Sequence, residues 1–263
     1  MTPADLLLLF AAGIISGMLN AVAGGGSFIS FPALLFAGVP PISANATNTF
    51  AACSGYLSGT WAFRHDLKAH QKQLPLYIVI SLTGGVTGAW LLLQTPQEHF
   101  SAAIPWLLLF ASTLFICGNQ LNKLLRHFSP ADKPRHWLAA ACSGAVLLGV
   151  CIYGGFFNAG LGIIALSYLV LTGHTDINAM NGIKLLVSSC VSLIAIAIFI
   201  ADGAIVWYEG GVLLTGSLLG GYSAATVSRR IPQQRIRQLI IITSLSITAY
   251  FFADHYQLWP ISG

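Results

Sequence analysis

Lys184 is a cation without an acid beside it. It stands in Ala179-Met180-Asn181-Gly182-Ile183-Lys184-Leu185, and the sequence then carries no charged residue until Asp202. An unpaired ammonium in so apolar a run is expensive and usually marks a function. The chemistry open to it is electrostatic, the holding of a small anion. A second polar group is Asn45-Ala46-Thr47-Asn48-Thr49, four hydrogen-bonding side chains in five residues with no charge. A third feature is backbone. Ala23-Gly24-Gly25-Gly26-Ser27 and Asn158-Ala159-Gly160-Leu161-Gly162 each interrupt an apolar run. A helix that begins after such a break presents unpaired N–H groups and a partial positive charge, and glycine lets a ligand approach them.

The candidate anion-binding residues are therefore Gly24, Gly25, Gly26, Ser27, Asn45, Thr47, Asn48 and Thr49 in the first half. In the second half they are Asn158, Gly160, Gly162, Asn181 and Lys184. Each has a plainer alternative. A lysine seven residues into a helix can snorkel to the interface. Asn and Thr can bond neighbouring helices, and glycines can serve close helix packing. The runs Gly84-Gly85-Val86-Thr87-Gly88 and 216–221 are read as packing surfaces of that kind. Tyr153, just before the second break, is placed to shape it.

Other chemistry finds little support. Cys53, Cys117, Cys142, Cys151 and Cys190 all lie in apolar runs, with no CxxC spacing and no nearby histidine cluster. They read as small buried hydrophobes rather than as a disulfide or zinc framework. No acid lies mid-segment, so an Asp/Glu proton relay is not expected. His174 and Asp176 read as a turn and the N-cap of the next helix, and His65 and Asp66 as solvated loop residues. No catalytic residue, metal or cofactor is assigned, and an enzyme is not expected.

The elements that must position these residues follow from composition. The chain has 263 residues, 56% hydrophobic and 8% charged, against about 25% charged in soluble domains. Lipid must cover such a surface, and the long runs, apolar on all sides, exclude a β-barrel. The n-region before the first run carries Asp5 and no Lys or Arg, which argues for an uncleaved membrane segment. Ten apolar segments are expected, at 6–22, 28–37, 42–63, 74–93 and 103–121, then 137–157, 161–171, 177–200, 206–227 and 236–252. The second and seventh make only about 15–17 Å of helix, too short for a core of about 30 Å. Short or glycine-broken segments at corresponding places of two halves point to a transporter binding site. The halves also align. Gly38, Ile42 and Ala44 match Gly173, Ile177 and Ala179 at an offset of 135, and Gly24 and Gly26 match Gly160 and Gly162 at 136.

Eleven of the twelve Lys and Arg residues fall in three loops: Arg64, Lys68 and Lys72; Lys123, Arg126, Lys133 and Arg135; Arg229, Arg230, Arg235 and Arg237. The positive-inside rule makes these loops cytoplasmic. All three fall on one side only if the glycine breaks form hairpins or separate crossings, which leaves both termini outside. The expected architecture is an all-α polytopic membrane protein with two inverted-topology repeats of five segments each. It has about eight full spans plus two half-helix or re-entrant elements. Residues 1–122 form the first repeat, 123–136 a basic cytoplasmic linker and 137–263 the second repeat.

Leu19-Asn20-Ala21-Val22-Ala23-Gly24-Gly25-Gly26-Ser27, Phe31-Pro32-Ala33-Leu34 and Ala46-Thr47-Asn48 resemble the first-half signature of the TauE/SafE family of sulfite and organosulfonate exporters. Tyr153-Gly154-Gly155-Phe156-Phe157-Asn158-Ala159-Gly160-Leu161-Gly162, Asn181-Gly182-Ile183-Lys184, Gly220-Gly221 and Arg229-Arg230-Ile231-Pro232 resemble its second-half signature. The resemblance covers nearly the whole chain. It implies a bacterial inner-membrane carrier of small sulfur-containing anions or related carboxylates, such as sulfite or organosulfonates, working by alternating access and directed outward. Position 49 is Thr where some members carry Lys, which leaves one cation in the site. A passive anion channel is the first alternative, and a membrane-embedded enzyme acting on sulfur compounds is a weaker one. The implied partners are a small inorganic or organic anion and the lipid bilayer, with no nucleic acid. A homodimer is compatible with this reading.

Overall fold

The computed structural model describes residues 2–22, 25–128, 137–227 and 233–256. Gly24, most of the basic linker, and Arg229 and Arg230 lie outside the described residues. Every element described is helical. The first half consists of α1 (Pro3–Val22), α2 (Ser27–Phe36), α3 (Pro41–Ala62), the single turn α4 (Arg64–Leu67), a 3-10 turn (Lys68–His70), α5 (Leu74–Gln94) and α6 (Gln97–Phe128). The second consists of α7 (Trp137–Phe156), α8 (Leu161–Leu171), α9 (Ile177–Asp202), α10 (Trp207–Val227) and α11 (Gln233–His255).

Four of these helices are long and apolar enough to cross a membrane: α1, α5, α6 and α9. α3 has the length, with 22 residues, but Asn45, Thr47, Asn48 and Thr49 in its first half lower its hydropathy. α2 and α8, with 10 and 11 residues, are short. They also end identically. Gly38 has φ +81° and Gly173 φ +82°, the left-handed geometry that closes a helix C-terminus and favours glycine. In each cap three N–H groups reach back to the last turn: Ala37, Gly38 and Val39 to Ala33, Leu35 and Leu34, and Thr172, Gly173 and His174 to Tyr168, Val170 and Leu169.

Two expectations are corrected. The fifth segment does not end at 121, because α6 continues through Phe128. Residues 123–128 of the linker are thus helical, since Leu121, Leu124, Leu125 and Phe128 keep the i, i+3, i+4, i+7 spacing of an apolar face. The stretch after α3 is also more ordered than a loop. α4 packs on α9, with Leu67 seated against Gly182, where a methyl group would come within 3.1 Å of it.

The helices pair across the two halves. α1 packs on α10 and α5 on α7; α3 crosses α9; α3 also meets α10 as α9 meets α5; α2 meets α11 as α8 meets α6. Exchanging each helix for its counterpart in the other half maps this set of contacts onto itself. Two seams are made of glycine, as anticipated. A Cβ at Gly17 or Gly220 would run into the backbone of Ser217 or Ile14, and one at Gly88 into that of Ile152. The aromatic core lies around α2, where Phe31 and Phe157 meet edge to face at 5.4 Å.

The seam sets the first test. Gly17→Val should lower the thermal stability of the purified protein by roughly 2 kcal/mol or more, because backbone faces backbone there and cannot yield. Gly149→Ala, at a helical position with nothing within 4 Å, should leave it unchanged.

Candidate anion-binding site

The first glycine break is closed by side chains. Gly26 donates its N–H to Asn20 Oδ1 at 2.9 Å. One turn on, Ser30 donates to Asn48 Oδ1 at 2.5 Å and accepts from the Ser16 hydroxyl at 3.1 Å. Gly26 has to be glycine, because a Cβ there would lie 2.6 Å from Ser16 Oγ and 2.7 Å from Asn20 Cγ. No side chain caps α2. Among the described residues, Asn20 Nδ2, Asn48 Nδ2 and the acceptor Asn45 Oδ1 are buried with no hydrogen-bond partner. Each such orphan costs about 1–3 kcal/mol.

The α3 residues divide by the bonds they make. All four of Asn45, Thr47, Asn48 and Thr49 are at most 2% exposed. Thr47 Oγ1 accepts the N–H of Val206 at 3.0 Å, which holds the start of α10. Asn45 Nδ2 donates to the carbonyl of Phe156 at 2.9 Å, at the end of α7. Thr49 donates back to the Asn45 carbonyl at 2.9 Å within its own helix. Thr47 and Thr49 therefore serve backbone groups, while Asn48 faces the first break.

The second break has a different character. Gly160 takes φ +84°, a turn that favours glycine, and no side chain caps α8. Tyr153 shapes it by donating to the Ala159 carbonyl at 2.7 Å. Asn158 Oδ1 accepts from the Tyr56 hydroxyl at 2.7 Å, and Asn158 Nδ2 donates to Ser192 Oγ at 3.0 Å. Tyr56 of α3 and Ser192 of α9 thus both hold the second break through Asn158. Lys184 completes this wall. Its aliphatic stem lies over Gly162, where an added Cβ would come within 3.3 Å of Lys184 Cδ. Its Nζ donates to Asn181 Oδ1 at 3.2 Å.

The structure thus forms two separate groups: Gly26 with Asn20, Ser30 and Asn48 at the first break, and Gly162 with Asn181 and Lys184 at the second, where Asn158 is held by Tyr56 and Ser192. Gly25 is buried at the first start and Gly160 turns the second. Thr49 and Lys184 stand at different depths. α3 and α9 run antiparallel, with Phe63, at the end of α3, against Gly182 and Thr60 against Ser189, and Gly59 meets Leu185. Lys184 is therefore level with the end of α3, about 16 Å along that helix from Thr49. Three participants were not singled out from sequence: Asn20, Tyr56 and Ser192. Asn20 stands just before the break, and Tyr56 follows Asn45 by eleven residues, three helical turns, so both had a spacing signal. Asp176 caps α9 through the N–H of Asn178 at 2.9 Å, as anticipated. All five cysteines are free thiols; Cys53 and Cys151 are buried, but Cys117 and Cys142 are exposed and so do not fit the expected buried class.

These features define a multi-pass helical membrane protein with a polar centre at two broken helices. The chain belongs to the family described as sulfite exporter TauE/SafE, which matches residues 9–251. It is 28% identical to the probable membrane transporter protein YfcA of Escherichia coli K12 over 256 residues, 97% of this chain and 92% of that one. It is 28% identical to a probable membrane transporter protein of Haemophilus influenzae over 254 residues, 95% of this chain and 96% of that one. It is 27% identical to the probable membrane transporter protein ORF9 of a Sinorhizobium species over 253 residues, 95% of this chain and 93% of that one. No solved structure matches it. The protein is a membrane transporter.

The hold on the second break can be tested directly. Asn158→Leu removes both partners of one amide and strands the hydroxyls of Tyr56 and Ser192. Thermal denaturation should show a loss of about 1–3 kcal/mol, with Tyr56→Phe losing less because it leaves the Asn158–Ser192 bond in place.

Proposed function

We propose that the protein moves small anions, such as sulfite or organosulfonates, across the bacterial inner membrane by alternating access, in the outward direction. One observation carries this reading: the stem of Lys184 lies over Gly162, at the uncapped start of α8. A helix start is already electropositive, and a cation beside it is disfavoured unless a negative charge joins them. An anion there would be held by Lys184, by Asn181 and by the backbone of Gly160 and Gly162. The first wall would offer neutral donors from the backbone of Gly24 and Gly25, the Ser27 hydroxyl and the amides of Asn20 and Asn48, with Gly26 held in place by Asn20. The name of the family, sulfite exporter, supports the substrate class and the direction.

In this reading the architecture is a pair of inverted repeats, 1–122 and 137–263, joined by the basic linker 123–136. The identical turns at Gly38 and Gly173 and the exchangeable helix contacts support it. α2 and α8 would be half-helices at the midplane between about eight spans, with the basic loops cytoplasmic and both termini periplasmic. Cysteine labelling at residues 2 and 256 in a cysteine-free background should modify both from the periplasmic side. A cytoplasmic C-terminus would overturn the scheme.

Sulfite counterflow in proteoliposomes tests the function. The wild-type protein should show saturable exchange, Lys184→Ala none while eluting as a folded species, and Asn20→Ala roughly tenfold weaker binding for one lost charge-assisted hydrogen bond. Unchanged affinity in Lys184→Ala would reduce that residue to a snorkelling side chain. Unitary currents in place of exchange would make the protein a channel.

A further inference from the structure

A groove of about 450 Å³ opens between the end of α3, α4 and the start of α5, lined by none of the glycine-break residues. Leu57, Trp61, Arg64, Lys68, Gln71 and Leu74 line it. Its two ends differ. Leu57 and Leu74 belong to the membrane-embedded parts of α3 and α5. Arg64 and Lys68 stand past the end of α3, in the basic connection to α5. Trp61 joins the two ends. Its ring is 70% exposed, and the Arg64 guanidinium lies over it at 4.8 Å while donating to the Trp61 carbonyl at 2.9 Å.

Every part of this arrangement suits an amphiphile. Trp favours the membrane–water boundary, which places the ring at headgroup level. A guanidinium held over it presents a fixed fork to an oxyanion. The groove is not an accident of loose packing, because its floor is Leu67, buried against Gly182 of α9. Asp66, the only acid of α4, does not line it. Among the described residues, no acid lines the groove beside its two cations.

We infer that this groove is a binding site for an anionic phospholipid, whose phosphate is held by Arg64 and Lys68 beside Trp61 and whose acyl chain runs along Leu57 and Leu74. Basic pockets between membrane helices on the cytoplasmic side bind such headgroups, each basic residue adding about 1 kcal/mol of attraction. The occupant is a membrane lipid rather than a soluble phosphate, because half of the lining is apolar and open to the acyl region. Through Leu67 and α4 the lipid would rest on α9 at Gly182, two residues before Lys184.

The test uses the purified full chain in detergent. Native mass spectrometry should retain phosphatidylglycerol in preference to phosphatidylcholine, and the double variant Arg64→Gln/Lys68→Gln should bind it roughly thirtyfold more weakly. Lys72→Gln is the control: Lys72 is exposed in the same basic connection but does not line the groove, so its affinity should stay at the wild-type value. An equal loss in Lys72→Gln, or equal retention of the two lipids by the wild-type protein, would overturn the proposal. A second measurement does not depend on the double variant. Brominated phosphatidylglycerol should quench a tryptophan component that disappears in Trp61→Phe; quenching unchanged in that variant would place the lipid elsewhere. Inorganic phosphate should not displace the lipid at equal concentration, and displacement would make this a soluble-anion site instead.

Discussion

A helix that begins inside a bilayer leaves the N–H groups of its first turn with no water to bond, so such a break survives only when protein surrounds it. Much of the polar chemistry of this chain is spent on backbone groups at helix ends. Asn20 takes the N–H of Gly26, Tyr153 holds the carbonyl of Ala159, and Asn45 caps the carbonyl of Phe156. Thr47 holds Val206 at the start of α10. Two of these four bonds reach from α3 into the second half of the chain. The polar stretch of α3 therefore ties the halves together, and its hydrogen bonds, once made, are not available to a ligand.

What remains after that accounting is the chemistry open to an anion. Asn20 and Asn48 each spend their carbonyl oxygen on the first break and keep a buried NH2 group unpartnered. Lys184 spends one hydrogen bond on Asn181 and lays its stem over the second break. The two walls thus differ in kind. The first offers neutral donors, which orient an oxyanion without adding charge. The second offers a full charge and the end of a helix, which supply attraction. With a single cation, such a site balances one negative charge better than two.

The helix pattern was largely legible in the sequence because glycine, proline and charge punctuate the apolar runs. The short helices were placed within a residue at either end, since Gly26 and Gly160 precede them and Gly38 and Gly173 follow them. α6 was placed too short because charge was read as a boundary, whereas Lys123 and Arg126 lie in a helix that keeps its apolar spacing past them. The site was partly legible. Lys184 and the glycine breaks are conspicuous by type and place. Tyr56 was not, because its importance is that its hydroxyl meets Asn158, 102 residues away. Nor was the division of labour in α3, since Thr47 and Asn48 are alike in the sequence and differ only in what faces them.

The packing also constrains how such a site could be opened to each side. The tightest seams join α1 to α10 and α5 to α7, each pair drawn from both halves of the chain, and glycines bring backbone against backbone along them. The sequence halves are therefore not the rigid bodies. The units that can stay intact are α1, α3 and α10 on one side and α5, α7 and α9 on the other, with α3 and α9 facing each other between them. The contacts across that interface are extensive but made by side chains: Thr60 with Ser189, Gly59 with the flexible end of Leu185, Tyr56 with Asn158, and Asn45 with the Phe156 carbonyl. Hydroxyl and amide bonds of this sort are worth about 1 kcal/mol each and re-form with water or a ligand. A motion that spares the glycine seams would move one unit against the other here, at the interface where the Tyr56 hydroxyl meets Asn158 of the second break.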